Sequence, residues 1–333
     1  MKIPASHPVS LIAGLLLAAC SSFAAAQAAP GPAPGYAIVQ RWSLGEPGKW
    51  DYADVDPVRH RLFITRGDRV QVLELPSGKV AGEIAGTGGV HGVAFAQDLK
   101  LGFTSNGRDN SVSVFDLDTL KVKQVVKIAG ANPDAILYEA ASHKLYTFNG
   151  KSEDVSVFDA ASMKPLATIK AGGKPEFAVA DNAGKIYFNN EDKAEIEVID
   201  VAGDKLVASW PLPGCTEPSG IALDPARMRL FSVCQNKVMV VTDARDGHHV
   251  ADVAIGAHPD AAIYDAAGAT VLASNGDGTL SVIRQADADH YAPAIQVVTE
   301  KGARTMAIDR AGKQIFLPTL VDKVFTVLVA APK

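Results

Sequence analysis

The 333-residue chain predicts an all-β fold, a seven-bladed β-propeller of four-stranded antiparallel blades. Three observations predict it. A loop, an apolar run, a polar turn and a second apolar run restart near Gly48, Gly89, Asn132, Lys174, Glu217, His258 and Gly302. A third run, as in SVSVFD, DVSVFD, EIEVID and VMVVTD, usually follows, and then a fourth such as KQVVKIAG or VADVAIGA. Four strands at a period of about forty-two residues is the rhythm of a propeller blade.

Taken in chain order, residues 1–26 are expected to be a secretory signal. Lys2 supplies a positive start, and Val9 to Ala19 is too short an apolar stretch to span a bilayer. Two processing sites compete. Ala24-Ala25-Ala26 before Gln27 suits ordinary cleavage, whereas Leu17-Ala18-Ala19-Cys20 reads as a lipobox whose Cys20 would carry a lipid. Both predict export to the periplasm. Residues 27–35 form a Pro/Gly/Ala linker that lacks the large apolar side chains needed to nucleate packing. Residues 36–333 are then a single propeller domain.

Tyr36 to Leu44 (YAIVQRWSL) reads as the fourth strand of a blade, because GEPGKWDY follows it as ANPDA follows KQVVKIAG. The last repeat has three runs and ends with KVFTVLVA. The N-terminal strand is therefore expected to complete the last blade and close the ring, which removes an open sheet edge. In the fifth repeat, Cys215 precedes the first strand and Cys234 ends the second, so an antiparallel pairing brings them to the same end. An exported chain with two cysteines favours a Cys215–Cys234 disulfide. Free thiols and a thiolate metal site are the alternatives, the latter disfavoured without a C-x-x-C pair. The sixth repeat carries an insertion, RQADADHYAPA, whose aspartates lack calcium-loop spacing.

The blades resemble the YVTN-type repeats of the YncE-like family of exported bacterial propellers. The resemblance rests on NPDA, KPEFAVAD and HPDAAIYD at the first strands, SVSVFD and EIEVID at the third, the turns FNG and SNG, and GARTMAID before IFLPT. It covers residues 36–330, although YTFN, YFNN and FTSN stand where the Tyr-Val-Thr-Asn signature would be. It implies a periplasmic or surface-attached binding protein and supplies no substrate.

In a propeller the loops entering the first strands share one face with the second-to-third-strand loops, and ligands gather on such loops. The candidate channel mouth is Trp50, Asp51, His91, Asp134, Glu176, Glu217, His258, Asp260 and Arg304. Asn106, Asn149, Asn189, Asn190, Asn236 and Asn275 fall in the second-to-third loops, where tight-turn chemistry is the simpler role. His91, His258 and Asp260 are the metal-ligand candidates, a mixed set that suits a borderline divalent cation. No cofactor is required. His60 and His143 sit in turns on the other face, and His248 and His249 in a late hairpin.

The formal net charge of −5 and the lack of a Lys/Arg block argue against a nucleic-acid binder. G-x-S-x-G, H-E-x-x-H, Walker and C-x-x-C-H motifs are all missing from the sequence. The expected function is therefore binding of a small ligand or periplasmic partner protein by a monomer, without covalent chemistry. Any membrane link would run through Cys20. The alternative is a cation-assisted hydrolase or lactonase on the same face, with the cation among His258, Asp260 and Glu176 and His91 as proton acceptor.

Overall fold

A computed structural model of the chain describes residues 1–2 and 35–333, so the signal, Cys20 and nearly all of the linker lie outside the described residues. Every named element is a β-strand, and neighbouring strands within each sheet pair antiparallel. Among the described residues no helix is long and apolar enough to cross a membrane.

Five sheets have four strands and one has seven. The third repeat shows the pattern: Pro133–Glu139, Lys144–Asn149, Asp154–Asp159 and Pro165–Lys170 lie side by side in that order. β-Branched and aromatic residues in KLYTFN and DVSVFD suit strands packed on both faces. Their register is unbroken from Lys144↔Asp159 to Asn149↔Asp154.

Where a first strand ends in an acidic residue, as at Asp56, Glu139 and Asp224, that residue is a turn device. Asp56 Oδ1 accepts from the Val58 and Arg59 amides, the Glu139 carboxylate from Ala141 and Ser142, and Asp224 Oδ1 from Ala226 and Arg227. The turns then pass through a left-handed residue, which includes His60 (φ 51°) and His143 (φ 54°). An aspartate ending the third strand does the same for the next turn in several repeats: Asp116 accepts from the Thr119 amide, Asp159 from Ser162 and Asp243 from Arg245. The recurrent acidic positions of the repeat thus stop strands by giving loop amides an acceptor.

The seven-stranded sheet arises because Val80–Ala96 is one 17-residue strand. Its first half pairs with Gly67–Glu74 and its second half with Leu101–Asn106. Gly86 and Gly89, at φ 76° and 67°, let the chain turn from one partner to the other without ending the strand. At the other junction, Tyr36–Ser43 pairs with Val324–Pro332, from Tyr36↔Pro332 to Ser43↔Thr326. That strand completes a sheet with Gln314–Val321 and Ala307–Asp309. Ala53–Asp56 in turn packs against Ala307–Asp309.

Apolar side chains fill the gaps between sheets. Phe148 and Phe188, both fully buried, meet at 5.2 Å between ring centroids, and Phe231 and Tyr264 at 5.6 Å. Cys215 and Cys234 form a disulfide with Cα atoms 5.5 Å apart, which replaces the free-thiol and metal alternatives. Five of the six asparagines expected in loops are structural: Asn106, Asn149, Asn189, Asn190 and Asn275 are fully buried. Asn149 Nδ2, for example, donates to Asp154 and Ser156 on the third strand of its own sheet. The sixth-repeat insertion is pinned as well, since Arg229 donates to Ala288 O and Asp289.

Candidate functional site

One backbone position recurs at the start of every first strand. Val90, Pro133, Pro175, Pro218 and Pro259 each pair with the last residue of their second strand, at Asn106, Asn149, Asn190, Cys234 and Asn275. The residue after each is His91, Asp134, Glu176, Ser219 or Asp260. Asp51 and Arg304 hold the matching places in the first and last repeats, and Thr305 Oγ1 donates to Asp51 O at 2.9 Å across that junction. Proline before the position fixes φ and starts the strand, so the next side chain leaves the backbone in the same direction each time.

These side chains meet. Asp51 Oδ2 lies 2.6 Å from Nδ1 of His91, and Asp134 Oδ1 lies 3.8 Å from the same nitrogen. Lys174 Nζ binds Glu176 at 2.7 Å and also pairs with Glu191. Asp260 accepts from Ser219 Oγ at 2.7 Å and from Arg304 Nε at 2.9 Å. They surround a cup of about 250 Å³ in which five carboxylates (Asp51, Asp134, Glu176, Glu191, Asp260) face two fixed cations, Lys174 and Arg304.

The floor of the cup is aromatic. Tyr52 and Phe177 stack with centroids 4.2 Å apart, and the buried Tyr52 hydroxyl has no hydrogen-bond partner among the described residues. Below them opens a wider apolar chamber of about 830 Å³, lined by Ile136, Val179, Ile221, Ile263 and Met306 among others. Sequence reasoning missed this chamber; its signal is the apolar alternation of the first strands.

Electrostatics follow from the crowding. Burial, then the neighbouring carboxylates, raise Tyr52 well above its usual range. Burial raises Asp134 and Glu176, with each other's neighbourhood of negative charge adding to it. Burial also raises Asp260, against the opposing pull of Arg304. For His91, burial disfavours the imidazolium, but the bond to Asp51 and the charges of Asp134, Asp51 and Glu176 outweigh it, so the net shift is upward. The cup thus holds more negative charge than it can keep fully ionised, and protons or a cation relieve it.

Of the predicted mouth residues, Asp51, Asp134, Glu176, Asp260 and Arg304 line the cup, and His91 joins it through Asp51. Trp50 does not; it packs on Phe325 at 5.7 Å and lines a neighbouring cavity. Glu217 and His258 are exposed and take left-handed φ values of 47° and 55° one step before the proline, so their side chains line no cavity described here. The structure therefore does not bring His258 to Asp260 and His91. At the cup, the donor atoms of Asp51, His91 and Asp134 approach within 4.8 Å of one another; those of Asp243, Asp246 and His248 do so in a turn away from it. Carboxylate and imidazole donors of this kind suit a divalent cation or a ligand ammonium.

No family model and no curated protein matches this chain. Solved structures do. The WD40 repeats of RRP9 superpose with a TM-score of 0.77 at 10% identity, covering 91% of this chain and 99% of that one. A chain of the mitotic checkpoint complex gives a TM-score of 0.75 at 12% identity, with 97% and 98% covered. A chain of Kuenenia stuttgartiensis hydrazine synthase gives 0.71 at 16%, with 88% and 99% covered. At these identities the likeness establishes the β-propeller fold and nothing further.

Proposed function

We propose that this chain is an exported, YncE-like propeller that binds a cation, or a ligand carrying a cationic group, in the axial cup without covalent chemistry. The observation that carries this reading is the convergence of five carboxylates, against two fixed cations, around the unpartnered Tyr52 hydroxyl. Crowded, partly buried carboxylates that outnumber their cationic partners are relieved by protonation or by a further positive charge, so a bound cation is their natural complement.

The seven-blade count is supported by dividing Val80–Ala96 into the outer strand of one blade and the inner strand of the next. Ring closure is supported by the pairing of Tyr36–Ser43 with Val324–Pro332. Periplasmic location rests on the sequence of residues 1–26 and accords with the Cys215–Cys234 disulfide. A partner protein inserting a lysine or an N-terminal amine would use the same cup.

The test is calorimetric titration of the purified mature protein with manganese, zinc, calcium and a primary ammonium compound. Binding of one of these, lost in an Asp134→Asn/Glu176→Gln double variant that still folds, is the expected result. No binding to any of them refutes the reading.

A second reading, a cation-assisted hydrolase or lactonase, is favoured by the Asp51–His91 pair. A carboxylate 2.6 Å from Nδ1 orients the imidazole as a general base. Turnover from a lactone panel that disappears in His91→Gln would support it, and an inert wild-type protein with metal supplied would end it.

A further inference from the structure

Beside the cup, on the same face, lies a larger cavity of about 960 Å³ with the opposite charge. Its wall carries five cations, Lys49, Arg66, Arg108, Lys151 and Arg304, against the carboxylates Asp51 and Asp68. Both carboxylates are already engaged, Asp51 with His91 at 2.6 Å and Asp68 with Arg69 at 3.2 Å. Arg304 is paired with Asp260 and Arg108 with Asp109, which leaves Lys49, Arg66 and Lys151 without an ion pair among the described residues of a chain whose net charge is −5.

Arg66 is the unusual member. Its side chain is only 5% exposed, yet no carboxylate lies within ion-pair distance of it among the described residues. Its Nη1 donates to Gln71 and its Nη2 to Glu46 O, its Cζ sits 3.4 Å over the Phe325 ring, and its Nε has no partner. Burial, with Arg69 adding to it, pushes its pKa down to about 10. A guanidinium remains charged at that value, so the fold keeps a buried positive charge without an anion to match it. Neutral acceptors and a ring face satisfy part of its hydrogen-bonding capacity, but a buried charge is more fully compensated by an opposite charge. Lys49 and Lys151 stand exposed at the rim, also without an ion pair among the described residues. The indole of Trp50 supplies an apolar wall between them and the axis.

We propose that this cavity binds a small polyanion, a molecule with more than one carboxylate or phosphate group, one of them facing Arg66 and the others the rim lysines. The volume falls within the range of small-molecule pockets, and the planar donor fork of a guanidinium can bond two oxygens of either a carboxylate or a phosphate. The proposal goes beyond the cup and stands whether or not the cup binds a cation.

The experiment titrates the folded, metal-free protein with citrate and, separately, with pyrophosphate at low and at high sodium chloride. One or both are expected to bind with a single site, more weakly at high salt. Which of the two binds separates carboxylate from phosphate recognition. Lys49→Ala and Lys151→Ala, both at exposed positions, should each weaken binding about tenfold, the lower end of a lost charge-assisted hydrogen bond. Lys205→Ala, exposed and outside the cavity, is the control and should leave binding unchanged. Absence of binding to both anions at low salt overturns the proposal, as does equal weakening by the control. A parallel manganese titration reports on the cup alone, so failure of one site is told apart from failure of the other.

Discussion

Tyr52 and Phe177 come from the first and fourth repeats, yet their rings lie 4.2 Å apart and both line the cup above and the apolar chamber below. The pair partitions the axis. One side is crowded with carboxylates, the other is lined mainly by apolar residues, and the Tyr52 hydroxyl is buried without a partner among the described residues.

Tyr52→Phe should therefore stabilise the protein by about 1 kcal/mol, because it removes a buried hydroxyl whose desolvation nothing repays. The same change should weaken cation binding, if the hydroxyl is a ligand. Urea unfolding and manganese titration of the two proteins measure both effects, and a clear loss of stability in the variant would show the hydroxyl to be satisfied.

Stability should fall between about pH 5 and about pH 8 in the absence of ligand. Glu176 is raised above its ordinary value of 4.5, so in this window the folded chain retains a proton that the unfolded chain has released. The stability it contributes is complete below the unfolded value and is lost as pH climbs through the folded one. His91, raised from 6.5, loses its contribution in the same direction. Urea midpoints at the two pH values measure the slope, which Glu176→Gln should flatten. A rising midpoint would contradict this account of the cup.

Cation affinity should run the other way and increase with pH, since protons and cation compete for the same carboxylates. Asp134→Asn should weaken manganese binding about tenfold, the scale of one lost charged ligand. His258→Ala should leave it unchanged, because that imidazole is exposed and outside the cup. Equal losses in both variants would return His258 to the site.

The Cys215–Cys234 bond closes a loop of 19 residues by sequence separation. A Cys215→Ser/Cys234→Ser protein should be less stable by about 3 kcal/mol, from the extra freedom of its unfolded chain. Thermal unfolding of the wild type with and without reductant gives the same comparison. Matching midpoints would mean the fifth sheet holds its loop without the bond.

The period of the strands was legible in the chain because each repeat spells its own turns, with aspartates such as Asp56 and Asp116 placed where loop amides need acceptors. The fusion of two strands into Val80–Ala96 was not, since GTGG reads as a loop until its glycines adopt the angles that keep the strand continuous. The site was legible only to within one residue. Histidine attracts attention at His258, but the left-handed backbone there turns it outward, and the inward place belongs to Asp260. Choosing by strand position rather than residue type would have aligned Asp51, His91 and Asp134 directly. The cationic cavity had no local signal, because Lys49, Arg66, Arg108, Lys151 and Arg304 are scattered singly and gathered by topology.

The pairing of Tyr36–Ser43 with Val324–Pro332 also imposes an order on assembly. The strand made first on the ribosome waits for the strand made last, while every intervening sheet can form from neighbours already synthesised. Until Val324–Pro332 emerges, the growing array carries unsatisfied hydrogen-bonding rims at both extremities, the condition in which such chains stick to one another. Removal of Val324–Pro332 should thus yield aggregates rather than a stable, slightly smaller β-propeller fold.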